Sequence, residues 1–215
     1  MDIILGIIDF ALHINLYLPD LMNQYGQWLI LILFLVIFME TGLIFTPFLP
    51  GDSLLFVAGS LCALGGMNIW VLTVVLFAAA FLGDSVNYWL AKTFGRKILD
   101  GPLNRFINQA AMEKARIFFD KNGAKTIILA RFIPLIRTFI PFVAGLVGMN
   151  YSLFLFFNVT GAFVWVYGVT FVGYFFGNMP IVQNNFSLVI MGIIVLSFVP
   201  VFIEIAKAFL NKNKG

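Results

Sequence analysis

Residues 126–149, TIILARFIPLIRTFIPFVAGLVGM, are apolar enough for a bilayer, yet they carry Arg131 and Arg137 together with Pro134 and Pro141. Proline removes a backbone donor and interrupts a helix. A charge in hydrocarbon is costly unless it pairs or faces a polar cavity. Broken backbone at that depth survives only inside protein or against a water-filled cavity. The stretch therefore reads as a split helix held within a membrane bundle, and the rest of the chain has to supply that bundle.

The composition fits. Of 215 residues, 61% are hydrophobic and 11% charged, and the mean hydropathy is +1.00. Soluble domains carry about a quarter charged residues, so a membrane protein of one compact domain is expected. All 13 Lys and Arg stand at or after Lys92. That distribution suits a membrane chain with few cytoplasmic loops, not a nucleic-acid binder with a continuous basic face. The single cysteine, Cys62, excludes an intrachain disulfide and reads as a packing residue. The N-terminus lacks a basic region and does not read as a cleaved signal. Asp2, Gly6, Asp9, His13 and Asp20 share one helical stripe, so residues 1–20 are expected to form an interfacial amphipathic helix.

Working outward from 126–149, residues 27–46, 68–91, 151–176 and 186–206 read as four full spans, within a single transmembrane domain over 27–206. Residues 47–66 follow the same logic as the opening stretch. Pro47, Pro50 and Gly51 break the helix, and the apolar run 54–66 rises only about 20 Å against a hydrocarbon core of about 30 Å. Both 47–66 and 126–149 are expected to be re-entrant hairpins. Residues 92–125 hold eight Lys/Arg and three acids. They form the expected cytoplasmic loop, with an amphipathic run from Arg105 to Lys121 showing Phe106, Ala110, Ile117 and Phe118 on one side. Residues 207–215 form a basic cytoplasmic tail. The positive-inside rule then places the first hairpin on the outer face and the second on the inner face. FLPGDSLLFVAG (48–59) and FIPLIRTFIPFVAG (132–145) begin and end alike. The expected fold is thus all-α and polytopic, an inverted repeat with two opposed re-entrant hairpins and about four spans. In such folds the binding site lies near the midplane.

Four ionisable residues stand on or beside the hairpins: Glu40, Asp52, Arg131 and Arg137. Their charges sum to zero, and two carboxylates facing two guanidiniums would lower the cost of burial. Glu40 could instead lie at an interface, Asp52 could cap the helix that follows it, and Arg131 could snorkel. Arg137 is harder to dismiss. A guanidinium stays charged and donates two parallel hydrogen bonds, which suits a phosphate. Ser53 and Thr138 stand near half-helix starts, where anions are favoured. Asp84 is a secondary candidate, divided evenly between helix packing and function.

Three pieces, ETGLIFTPFLPGDSLLFVAGSL (40–61), GDSVNYWLAKTFGRK (83–97) and ARFIPLIRTFIPFVAGLVGM (130–149), carry a resemblance to the DedA family of bacterial inner-membrane proteins, within the superfamily that includes the VTT-domain scramblases. The resemblance covers nearly the whole chain. It implies the two re-entrant helices, an inner-membrane location, and transport of undecaprenyl phosphate or a related anionic lipid. It also implies a link to the proton motive force. The family's required acids and arginines match Glu40, Asp52, Arg131 and Arg137.

A lipid-phosphate translocase is accordingly the leading expectation, its partners being membrane lipids and protons, with homo-oligomers compatible. A phospholipid scramblase or a proton-coupled antiporter of soluble cations or drugs would use the same charges. An enzyme is not expected. The one histidine, His13, lies in the N-terminal stretch, and Asp52 and Asp84 lack the surroundings of an aspartyl protease pair. No Cys/His cluster suggests a metal, and no cofactor is implied.

Overall fold

The structure, a computed structural model, describes residues 14–44, 51–63, 65, 67–101, 107, 109–133, 136–180 and 182. Most of the expected interfacial helix, the span at 186–206, the tail at 207–215, and Pro47, Pro50 and Pro134 lie outside them. Among the described residues all regular structure is helical: α1 (Ile14–Gly42), α2 (Gly51–Ala63), α3 (Ile69–Asp100), α4 (Gln109–Asn122), α5 (Thr126–Leu129), α6 (Phe139–Leu146) and α7 (Tyr151–Gly177). Short 3-10 turns at Gly123–Lys125 and Ala130–Phe132 flank α5.

The long helices follow from uninterrupted apolar sequence. α3 and α7 are long and apolar enough to cross a membrane, while the apolar part of α1, Trp28–Gly42, is shorter. Their large side chains point outward as well as inward: Trp70, Val74, Val86, Phe156, Phe163 and Phe175 are all exposed. Large apolar side chains all around a helix suit a lipid solvent. α2, at 13 residues, rises about 20 Å, and α6, at eight, about 12 Å. Neither reaches across a core of about 30 Å.

Several boundaries differ from those read in the sequence. α1 is continuous from Ile14, so no helix end separates residues 14–20 from the first span, and it stops at Gly42 rather than 46. The stretch 92–125 is largely helical, because α3 continues to Asp100 and α4 follows. The buried face of α4 is Ala111 and Ala115, not Ala110 and Ile117, which are exposed. Small alanines one turn apart let α4 lie close to α6, whose Phe139, Phe142 and Val143 share its core. Pro141 does not interrupt the chain. It is the third residue of α6, where a backbone N–H has no intrahelical acceptor to lose.

The chain divides into two compact units. One comprises Leu31–Leu49 and Thr73–Gly168, with a core of Ile44, Tyr88, Ile127, Ile140, Phe142 and Phe154 among others. The other comprises Met1–Ile30, Pro50–Leu72 and Val169–Gly215, where Leu61 and Val182 pack with Val57 and Phe176.

Within each unit the same local device recurs. A short helix carries Phe-Val-Ala-Gly, at 56–59 in α2 and 142–145 in α6. A positive-φ glycine follows, Gly65 or Gly148. An asparagine then caps a long helix. Asn68 Oδ1 accepts from Trp70 N at 2.9 Å, and Asn150 Oδ1 from Ser152 N at 2.9 Å. Gly59 abuts the backbone of Thr170 on α7, and Gly145 abuts Tyr88 on α3. A Cβ at either glycine would collide with the facing carbonyl. The two contacts fall at the same offset from the capping asparagine, 68 to 88 and 150 to 170. The phrase Gly-Met-Asn (66–68, 148–150) extends the likeness seen at Phe-Val-Ala-Gly.

Candidate functional site

The site lies in the first unit and is built at the break between the helical halves of 126–149. α5 and its 3-10 turn carry the chain to Ile133, which is extended at φ −117°, ψ 96°, as a residue before proline prefers. A tight turn follows, with Arg137 N donating to Ile133 O at 3.1 Å and Phe139 N to Ile136 O at 3.0 Å. Arg131 ends the first half of the stretch and Arg137 precedes α6. Both line one small cavity with Thr41, Asp84, Thr138 and Trp165, which has room for about one water molecule.

Neither arginine snorkels to the surface. Glu40, Asp84, Arg131 and Arg137 are between 0% and 8% exposed. Glu40 forms an ion pair with Arg137, and Asp84 forms one with Arg131. The charge balance expected from the sequence is thus present, but the carboxylate on Arg131 is Asp84, ranked second in the sequence reading, and not Asp52. Asp52 lies in the first turn of α2 with Ser53 beside it, both half-buried, in the other unit.

Asn158 of α7 completes the hold on Arg131, accepting from its guanidinium at 2.6 Å. Asn158 in turn donates to Phe81 O at 3.1 Å and Ser85 Oγ at 3.3 Å, which sets its amide orientation. Gly161, one turn along α7, makes room for the side chain, since a Cβ there would lie 3.0 Å from Arg131 Nε. Asn87 fastens the other wall of the cavity. It donates to Thr41 O at 3.1 Å and to Thr138 O at 2.8 Å, tying α1 to the start of α6. Thr138 is buried, and its hydroxyl has no hydrogen-bond partner among the described residues, nor has Arg131 Nε.

Trp165 lies under both cations, its ring centre 5.8 Å from the Arg131 guanidinium carbon and 5.1 Å from that of Arg137. Sequence reasoning missed Trp165, Asn158 and Asn87. The two asparagines were detectable as polar residues inside apolar spans; one tryptophan in a Phe-rich chain left no signal. Among the described residues no group of His, Cys, Asp and Glu could hold a metal ion.

Each guanidinium now faces a carboxylate, and a phosphate oxygen would compete for the same N–H groups.

The VTT domain model matches residues 49–175. The chain is 49% identical over 209 residues to protein DedA of Escherichia coli K12, covering 96% of this chain and 95% of that one. It is 44% identical to an uncharacterized membrane protein of Mycobacterium leprae, covering 83% and 80% of the two chains. It is 37% identical to the inner membrane protein YqjA of E. coli K12, over 70% and 68%. No solved structure matches. A domain match over more than half the chain, with near end-to-end similarity at 49% identity, establishes that the chain belongs to the DedA family of VTT-domain membrane proteins.

Proposed function

We propose that the protein is a membrane lipid translocase that carries an anionic headgroup, undecaprenyl phosphate or a related lipid phosphate, across the bacterial inner membrane. The observation that carries this reading is the pair of buried, ion-paired arginines lining one cavity. The names of the relatives say nothing of a substrate. In this reading α2 and α6, too short to cross, are the inner arms of two opposed re-entrant hairpins. The matching glycine contacts and asparagine caps support an inverted repeat. The basic stretch after α3 and the C-terminal tail then face the cytoplasm.

Charge bookkeeping suggests how transport works. Glu40, Asp84, Arg131 and Arg137 sum to zero. A phosphate entering this site would leave it negative unless one or both carboxylates took up a proton. Protonating Glu40 frees Arg137 for the headgroup; protonating Asp84 frees Arg131. The headgroup crosses with its protons while the acyl chain stays in lipid beside the bundle. Asp52, at the head of α2, is proposed to serve the same cycle. The cavity has room for about one water, so in this reading a headgroup enters only as an ion pair opens.

The test is a flip assay on purified full-length protein in liposomes, with fluorescent undecaprenyl phosphate and a fluorescent phospholipid side by side. Movement of the polyprenyl phosphate alone, abolished by Arg137→Ala, is the expected result. Equal movement of both lipids would make the protein a scramblase. No movement of either by folded protein would sink the proposal in favour of soluble-solute transport. Proton coupling predicts a further result: Glu40→Gln flattens the pH dependence of the rate, whereas an unchanged profile at full rate would remove the proton from the cycle.

A further inference from the structure

The structure assigns to Trp165 a positioning role in this site: its indole supports Arg131 and Arg137 together and keeps both guanidiniums in place while their partners change from carboxylate to phosphate. This rests on the proposed transport of an anionic headgroup.

Exchange of partners makes demands on each arginine. When Glu40 or Asp84 lets go, a guanidinium is briefly without its counter-charge in a medium of low dielectric, where an unpaired charge is most costly. It must also stay aimed at the cavity, although its side chain has many rotamers. A partner that could hold it through the change has to satisfy two conditions. It must attract a cation, and it must not occupy the N–H edge that carboxylate and phosphate share.

An aromatic ring does both. Carboxylates and phosphates take the in-plane N–H edge of a guanidinium, whereas an aromatic ring attracts the cation through its π-face. Both arginines lie over Trp165, at 5.8 and 5.1 Å, inside the range of about 6 Å in which the attraction acts, and Trp is the strongest of the three aromatic partners. The setting strengthens the case. Trp165 is 2% exposed, while Trp28, Trp70 and Trp89 are 64%, 62% and 46% exposed. The attraction grows when the groups are desolvated. Both arginines also line the same cavity, so that an anion drawn to one is held within reach of the other. That favours a headgroup whose oxygens fan out from one centre, such as a phosphate monoester, over a flat carboxylate.

Two measurements test this. The first compares Trp165→Phe with Trp165→Leu for flipping of fluorescent undecaprenyl phosphate, after size exclusion and circular dichroism confirm folding of each. Phe keeps a π-face and Leu keeps only apolar bulk. The expected outcome is a rate within a few-fold of the parent for Phe and a loss of about tenfold or more for Leu, one cation–π contact in a desolvated site being worth that much. The second uses a Trp28→Phe, Trp70→Phe, Trp89→Phe protein, in which Trp165 is the sole tryptophan. Its emission should shift on adding unlabelled undecaprenyl phosphate, and the shift should vanish with Arg137→Ala. Trp165→Leu flipping at the parental rate would overturn the role while leaving translocation intact. So would Phe and Leu failing alike in folded protein, or a silent Trp165 in a single-tryptophan protein that still flips the lipid. Failure of the parent protein to move the lipid would instead remove the transport reading, and this role with it.

Discussion

At the residue scale the site depends on charges that are costly alone and tolerable together. Removing one member of a buried ion pair leaves the other unpaired, typically at a cost of about 3–5 kcal/mol. Asp84→Ala should therefore lower the melting temperature of the detergent-purified protein by many degrees, because Arg131 would lose its carboxylate and keep only neutral partners, the Asn158 carbonyl and the Trp165 ring, among the described residues. Asp84→Leu combined with Arg131→Met should recover most of that stability and still fail to flip lipid. A double variant as unstable as Asp84→Ala would show that the pair is not the origin of the loss. Gly161→Ala is a finer probe. Its Cβ would stand 3.0 Å from Arg131 Nε and 3.1 Å from Cδ, with the Ile128 backbone 3.3 Å away. The arginine has to yield by a few tenths of an ångström. A several-fold fall in flipping with little change in melting temperature is the expected result.

At the element scale, stability rests on the device repeated in the two units. Asn68 and Asn150 cap α3 and α7 with the same bonds. Replacing either with alanine should cost about 1 kcal/mol, and the two losses should be similar in a thermal-unfolding assay. Gly59→Ala and Gly145→Ala should be far more damaging. Each would drive a methyl into a backbone carbonyl of the facing helix, of Thr170 or of Tyr88, and neither backbone can swing aside as a side chain would. If one of these tolerated alanine at parental stability, the close approach described for it would be wrong. The likeness between Phe-Val-Ala-Gly at 56–59 and at 142–145 thus has a packing meaning: each glycine lets a short helix touch the backbone of a long one.

At the scale of the whole molecule, the solvent is the question. α3 and α7 expose large apolar side chains along their length, Phe156 and Phe175 at 65%, which is untenable in water and ordinary in lipid. Phe163, 52% exposed near the middle of α7, reads as lipid-facing. Phe163→Asp should reduce the membrane-inserted protein sharply, since an acid at a span's centre costs about 2.5–3.5 kcal/mol of insertion. Fractionation of cells expressing the variant would reveal this; normal accumulation in the membrane would place that face of α7 against protein or water.

The membrane setting, the all-helical class and the break at 126–149 were legible in the sequence, because each follows from composition or local chemistry. An apolar run needs lipid, and a proline shapes its own neighbours wherever it sits. Glu40, Arg131 and Arg137 were legible for the same reason, being charges where charges are expensive. Helix ends were less so: α1 runs on from Ile14 and α3 to Asp100, since hydropathy measures what a membrane accepts and not where hydrogen bonding stops. Only the tertiary structure decided which carboxylate meets Arg131. Asp84 lies 47 positions away, and no local pattern encodes that pairing. It also decided that one indole lies against two arginines and that Gly161 leaves room for one of them. Such contacts depend on how separate helices cross, and that is settled by the packing of whole surfaces rather than by any short stretch of residues.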